Sequence, residues 1–418
     1  MRVAMVGTRG VPARYGGFET CVEEVGRRLV EAGHEVVVYC RPSEGEKAGD
    51  QPDEYLGMQL VHLPAVRHRV LETLSHTAVS MLHRSISEAD CAIVFNAGNA
   101  PLIPVLRAHG IPVATHVDGL EWRRSKWSKV GRRYYRAVES LAVRWSDALI
   151  ADAVGIADYY RTEFAAPTEL IAYGAPILTD AGSDRIAELG LEPKGYHLVV
   201  ARFEPENHVL EIVRGHVASK AELPLVVVGS SPYGLDYTAE IEAAANENVR
   251  LLGAVWDQTQ LDQLYANALS YVHGHSVGGT NPSLLRATGA GAYVIAYDCI
   301  FNREVLNGDG DYFSTVGELA ELLEASEREP EQAIALGSFA REAIRRYDWD
   351  DVARRYEELC ARLVSGGPTR RRPSGRRVGT WSESAIGSDA AGPASAVAFR
   401  EGTDPQQVDL HGRADARV

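Results

Sequence analysis

The sequence predicts an α/β protein made of two doubly wound units, each a mostly parallel sheet flanked by helices. Three observations predict this. The chain opens with a short apolar run, Arg2 to Val6, then a glycine-rich loop, a helical stretch and a second apolar run, 34-HEVVVYCR-41. That β-loop-α-β order is how a parallel sheet starts. The pattern pauses around 171-IAYGAP-176 and then begins again. Finally, 418 residues are too many for one ordinary core.

The elements follow in order. The first helix is read over 18-FETCVEEVGRRLVEAG-33, where apolar residues recur at helical spacing and Gly33 is the stop. Strands are expected at 91-CAIVFN-96, 112-PVATHV-117 and 147-DALIADA-153. After the pause come 196-YHLVVARF-203, 224-PLVVVGS-230, 249-VRLLGAV-255, 269-LSYVHGH-275 and 292-AYVIAYD-298. The units are assigned as residues 1–175 and 176–348. A closing helix over 349–364 carries Val352, Tyr356, Leu359, Cys360 and Leu363 on one face. Residues 365–418 are rich in Gly, Ser, Ala, Pro and Arg, bury too little apolar surface to offset ordering, and read as a disordered tail.

Composition narrows the function. With 45% apolar and 24% charged residues the chain reads as soluble and globular. A net charge of −14 argues against a general nucleic-acid binder, because a polyanion is repelled. Five scattered cysteines without a C-x-x-C pair suit reduced thiols in the cytoplasm. The start does not read as a signal peptide, and no apolar run approaches the ~20 residues of a membrane span.

Several segments carry chemistry. In 7-GTRGVPARYGGFE-19 a glycine-rich loop leads from strand to helix, where backbone N–H groups and the helix dipole attract an anion. Gly16 and Gly17 allow close approach, and Glu19 follows on the helix. A plain turn is the alternative, and the strict G-x-G-x-x-G dinucleotide pattern is absent. In 114-ATHVDGLEWRRSKWS-128 a strand end brings His116, Asp118 and Glu121. Asp118 reads either as an acceptor for a substrate hydroxyl or as a helix cap boxed with Glu121. His116 reads first as a core histidine. The basic-aromatic stretch 122–145 reads as an anionic-lipid surface or a solvated helix face, with nucleic acid a weaker third option.

In the second half Arg202 stands just past a strand, suited to bidentate phosphate contact or to an ion pair with Glu204 or Glu206. Val255 and Trp256, in 253-GAVWD-257, could flank a base. The stretch 278-GGTNPSLL-285 offers Gly279, Thr280, Asn281, Ser283, Leu284 and Leu285 at a helix start, a diphosphate cradle in which a fixed dipole does the work of a cation. No cofactor and no metal is expected.

Taken together, GTRGVPARYGGFET, VDGLEW with KWS, ADAVGIADYYRTEF, IAYGA, VVARFEPENH and HGHSVGGTNPSLL followed by GAGAYVIAYD resemble a retaining nucleotide-sugar glycosyltransferase of the GT-B type, in its bacterial rhamnosyltransferase-like branch. The resemblance covers roughly the first 360 residues. It implies two Rossmann-like domains facing across a cleft, the last helix crossing back to the first domain, with the acceptor on the N-terminal side and the donor on the C-terminal side. It implies that Gly16 and Gly17 lie by the donor phosphate, Asp118 near the transferred sugar, Arg202 on the diphosphate and residues 280–285 in the phosphate loop, with Glu304 close by.

Two positions depart from the pattern. The superfamily's E-x(7)-E pair falls here on Gly278 and Arg286. Relatives place at the second position a glutamate that accepts from the ribose hydroxyls, and arginine has no acceptor. Losing such a charged hydrogen bond costs ~1.5–3 kcal/mol, roughly ten- to a hundredfold in affinity. The lysine usual after the phosphate arginine is Asn207. Arg286 is therefore expected either to turn to the phosphates or to mark weakened catalysis. The expected activity is transfer of a hexose or deoxyhexose, such as rhamnose, from a nucleoside diphosphate to a glycan or lipid-linked acceptor at the cytoplasmic membrane face. The alternative is a nucleotide-sugar-binding pseudoenzyme. A two-Rossmann epimerase would need paired cleft carboxylates, and no convincing set stands out.

Overall fold

The computed structural model describes residues 1–13, 16–42, 51–66, 71–117, 119–124, 127–231 and 235–366. Asp118 and the tail beyond residue 366 lie outside the described residues. The first sheet holds β1 (Arg2–Val6), β2 (Glu35–Cys40), β3 (Glu54–Tyr55), β4 (Met58–His62), β5 (Cys91–Phe95), β6 (Val113–His116), β7 (Ala148–Ala151) and β8 (Glu169–Leu170). Its order is β3-β4-β2-β1-β5-β6-β7-β8, and only the β3–β4 pair is antiparallel. The second holds β9 (His197–Val200), β10 (Leu225–Val228), β11 (Val249–Gly253), β12 (Ser270–His273), β13 (Tyr293–Tyr297) and β14 (Asp311–Phe313), in the order β11-β10-β9-β12-β13-β14, all parallel. The fold is α/β with two Rossmann-like sheets. The strand runs are apolar throughout because helices cover both faces, as at Val3 to Val6 and Leu225 to Val228, all fully or nearly fully buried.

Four strands escaped the sequence reading. β3, β8 and β14 are two or three residues long, too short to show a period, and β4 is flanked by an edge hairpin.

The strand order reverses between β1 and β5 in the first sheet and between β9 and β12 in the second. In such sheets ligands bind beyond the carboxyl ends of the strands at that reversal. The loops after β1, β6, β7, β9 and β12 therefore define the region of interest. The helix Trp349–Val364 returns to the first lobe. Trp349 stacks on Tyr173 with ring centroids 6.4 Å apart, the Cys21 thiol donates to the Tyr356 hydroxyl at 3.5 Å, and Arg28 pairs with Asp350 at 2.6 Å.

Candidate active site between the lobes

The seam between the lobes is built from strand-end loops. After β1 the chain turns into the helix Gly17–Glu31. Its Glu19 is buried, and the carboxylate accepts from the Arg9 backbone N–H at 2.9 Å. Glu19 thus helps to hold the loop after β1. Gly17 abuts the opposite lobe: a methyl group there would lie 3.2 Å from Cγ of Pro282. The glycine pair and the start of the Pro282–Gly289 helix, 265 residues later in the chain, are therefore neighbours.

That helix start differs in detail from the sequence expectation. Asn281 is its N-cap, and its side-chain oxygen accepts from the Ser283 backbone N–H at 2.9 Å and the Ser283 hydroxyl at 2.7 Å. The Tyr271 hydroxyl donates to Ser283 at 3.1 Å. The Thr280 hydroxyl donates to the carbonyl of Asp152 across the seam. Capping and tethering engage the groups expected to serve as ligand donors. Leu284 and Leu285 are fully buried, so their side chains belong to the core and offer a ligand nothing; only main chain remains at these positions.

Arg286 does not turn toward the helix start. Its guanidinium pairs with the carboxylate of Asp262, on the helix Gln258–Asn267. The expectation of a phosphate contact is corrected accordingly: a carboxylate one helix away holds the charge. Val255 is half-buried and packs on the core, and beside it Trp256 is 67% exposed.

Arg202 is half-buried in the loop after β9. Asn207 fixes that loop, its Nδ2 donating to the Arg202 carbonyl at 2.7 Å and its Oδ1 accepting from His275 Nδ1 at 2.6 Å. At this position, where the resemblance leads to the expectation of a lysine, the side chain thus serves as a clasp between two loops. His275 is held well below the ordinary histidine pKa by burial and then by the charge of Arg124, with His273 and Arg202 adding to it.

Further residues close the seam. Gly119 packs on Gly278, and a methyl on either Gly119 or Gly279 would overlap the opposite lobe, Gly278 main chain in one case and the Asp152 carboxylate in the other. Arg124, buried, pairs with Glu121 of its own lobe at 2.5 Å and with Glu206 of the other at 3.5 Å. Glu304 accepts from the Val154 backbone N–H at 2.8 and 3.0 Å, and burial raises its carboxyl pKa. Sequence reasoning missed Asp152, although it stands directly after β7, where the strand-end rule points. Arg124 and Asp262 gave no local signal, since their partners are remote in sequence. Among the described residues no group of three or more His, Cys, Asp or Glu side chains is placed to hold a metal ion.

Residues 16–174 match the model of the glycosyl transferase 4-like domain, and residues 194–328 match that of the glycosyl transferases group 1. The chain thus pairs a glycosyl transferase 4-like domain with a glycosyl transferases group 1 domain on two Rossmann-like sheets. Among curated proteins none matches its sequence. This glycosyltransferase is similar in structure to a sucrose-phosphate synthase from Thermosynechococcus elongatus, with a TM-score of 0.73 and 17% identity over 88% of this chain and 100% of that one. It is also similar to Alr3699/HepE from Anabaena, solved in complex with UDP-glucose, with a TM-score of 0.70 and 16% identity over 87% and 100% of the two chains. An α,α-trehalose-phosphate synthase (UDP-forming) from Burkholderia xenovorans, in complex with glucose-6-phosphate, gives a TM-score of 0.64 and 12% identity over 86% and 100%.

Proposed function

We propose that this glycosyltransferase moves a hexose or deoxyhexose, rhamnose among the candidates, from a nucleoside diphosphate to a hydroxyl of a glycan or lipid-linked acceptor, with retention at the anomeric carbon. The observation that carries this reading is the apposition of Gly17 and the Pro282–Gly289 helix start across one seam. The diphosphate would lie along this crevice, met by main-chain N–H groups, the helix dipole and Arg202. The acceptor oxygen bonds to the anomeric carbon as its bond to the diphosphate oxygen breaks, and the acceptor proton passes to that leaving oxygen. Neither a covalent enzyme intermediate nor a metal is needed in this scheme, since fixed dipoles take up the developing charge. A solved structure of the same fold bound to UDP-glucose is consistent with the donor class.

Residues 129–145 form an amphipathic helix whose exposed side carries Lys129, Val130, Arg133 and Arg144. On this reading that side meets anionic lipid headgroups at the cytoplasmic membrane face. Among the described residues no helix is long and apolar enough to cross a membrane. The alternative, a sugar-nucleotide-binding pseudoenzyme, is favoured by one observation: the position expected to hold a ribose-binding carboxylate holds Arg286, tied to Asp262.

The test is a panel of UDP-, GDP- and dTDP-sugars. A bound donor raises the melting temperature by an amount set by its affinity. Mass spectrometry then looks for transfer and NMR for the anomeric configuration of the product. Binding without transfer to any acceptor supports the pseudoenzyme, and binding of no donor sinks both.

A further inference from the structure

Away from the seam, the second lobe carries a cleft of about 360 Å³ walled by residues 178–183, Asn267, Ala290 and Arg341. The helix Gln258–Asn267 runs on into β12, and the helix Pro282–Gly289 runs on into β13. The cleft therefore lies at the amino ends of these strands, whereas the seam lies at the carboxyl ends. None of Gly17, Asp152, Arg202 or Thr280 lines it.

The fold holds these walls in place. The Leu178 backbone N–H donates to the Gly289 carbonyl at 3.0 Å, and the Asn267 side-chain amide donates to the Gly182 carbonyl at 2.7 Å. Residues 178–183 are thus pinned across two helix ends. Arg341 comes from the helix Pro330–Ala343 and lies over the Gly291 turn, where a methyl would stand 3.4 Å from its Nη1.

Arg341 has no hydrogen bond or ion pair among the described residues, and its Nε is buried without a partner. A cation near a helix end commonly serves the last carbonyls. Here other groups hold them. The Lys194 ammonium donates to the carbonyls of Ala266 and Ala268 at 2.9 and 3.0 Å, the Lys194 backbone N–H donates to that of Asn267 at 2.7 Å, and Leu178 takes that of Gly289. Burial, and after it the charge of Arg341, pushes the Lys194 pKa down to about 8, so a second cation adds to the positive field. Asp180 also lines the cleft, exposed, and among the described residues its carboxylate accepts only from the Thr179 hydroxyl, at 3.3 Å. Ser183 adds an exposed hydroxyl.

One cleft thus holds a guanidinium and a carboxylate that do not pair with each other. The guanidinium suits a group with two oxygens in one plane. The carboxylate is an acceptor only, so it suits a hydroxyl. The volume is near the lower end for small-molecule sites.

We infer that this cleft binds a small polyhydroxylated anion the size of one monosaccharide, its charged group on Arg341 and a hydroxyl on Asp180. The charged group is a phosphate ester or a carboxylate, since either offers paired oxygens. The site is separate from the donor crevice and stands whether or not the transferase reading does.

The experiment is calorimetric titration of the full chain with glucose 6-phosphate, glucuronate, glucose and inorganic phosphate, each repeated with excess UDP. The proteins are wild type, Arg341→Gln, Asp180→Ala and Arg345→Gln, the last an exposed arginine paired with Glu342. Glucose 6-phosphate or glucuronate is expected to bind wild type, and which one binds identifies the anion. Arg341→Gln and Asp180→Ala should each weaken that binding about tenfold or more, and Arg345→Gln should bind as wild type does. Glucose and inorganic phosphate should bind far more weakly. If Arg341→Gln melts early, the exposed Asp180→Ala carries the test. Binding of neither anion, an unaffected pair of variants, tighter binding by Asp180→Ala, inorganic phosphate binding as tightly as the sugar anion, or displacement by UDP would each overturn the assignment.

Discussion

Arg286 and Asp262 form an ion pair that joins the Pro282–Gly289 helix to the Gln258–Asn267 helix, each side chain about one quarter exposed. The arginine is thus occupied within its own lobe. Arg286→Gln should therefore leave nucleoside diphosphate affinity within about threefold of wild type, because a factor of three is below 1 kcal/mol. A tenfold loss by calorimetry would make the guanidinium a phosphate ligand after all. Arg286→Glu places two carboxylates together and should lower stability by about 1 kcal/mol. Adding Asp262→Asn should restore it. If the resemblance holds for the ribose contact, that double variant should bind the nucleotide about tenfold more tightly than wild type.

The lobes meet through glycines. A methyl on Gly119 would strike Gly278 main chain, which has no side chain to turn aside, whereas one on Gly279 would strike the Asp152 carboxylate. Gly119→Ala should therefore wedge the lobes more than Gly279→Ala, with an overpacking cost of about 1–3 kcal/mol. Small-angle scattering should report a larger radius of gyration for Gly119→Ala, and transfer should fall at least tenfold. An unchanged radius with full activity would show that the contact is not needed for closure.

How far the site could be read from sequence depends on the range of each contact. The apolar strand runs, Gly33 as a stop and the Trp349–Val364 helix are local patterns, and each is present. The glycine loop and the helix start were visible for the same reason, since both are punctuation between periodic segments. What sequence could not give was the bonding of those polar groups. Thr280 reads as a donor to a ligand until Asp152, 128 residues earlier, claims its hydroxyl. Asn281 reads likewise until it caps its own helix. Arg123, Arg132, Arg136 and Arg303 come from three separate segments, and only the fold brings them round one cavity between the lobes.

Arg124 is a buried cation shared by Glu121 and Glu206, and it spans the seam. Trp127 also donates to Glu121, at 3.1 Å. Removing the cation leaves two buried carboxylates close together without it, and breaking a buried pair in this way costs about 3 kcal/mol or more. Arg124→Met should lower the urea midpoint accordingly. The exposed Arg161, paired with Asp158, serves as control, and Arg161→Ala should change stability by less than about 0.5 kcal/mol. Equal effects from the two substitutions would mean that the interlobe pair contributes no more than a surface one.

The final prediction concerns acid. His116 ends β6 fully buried, its ring stacked between Phe95 at 5.6 Å and Tyr173 at 5.8 Å, with Phe18 edge-on at 5.1 Å. Neither ring nitrogen has a hydrogen-bond partner among the described residues, and burial pushes the pKa from 6.5 down to about 3. Burial does the same to His273, to about 3, and to His76, to about 4 with help from the charge of Arg41. In each case the unfolded chain takes up a proton that the folded chain refuses, so stability falls as pH drops below 6.5 and goes on falling until the folded pKa is reached. Each histidine then contributes a slope of about 1.4 kcal/mol per pH unit. Buried carboxyls such as Glu23 and Glu304, whose pKa values are raised, act in the opposite sense. They are common to wild type and variant, so the comparison cancels them. His116→Phe keeps the aromatic stack and removes both unpartnered nitrogens. It should be at least as stable as wild type at pH 7, and from pH 6 to pH 5 it should lose about 1.4 kcal/mol less, read from urea midpoints at each pH. Parallel pH profiles for the two proteins would mean that His116 becomes protonated in the folded state as readily as in the unfolded one.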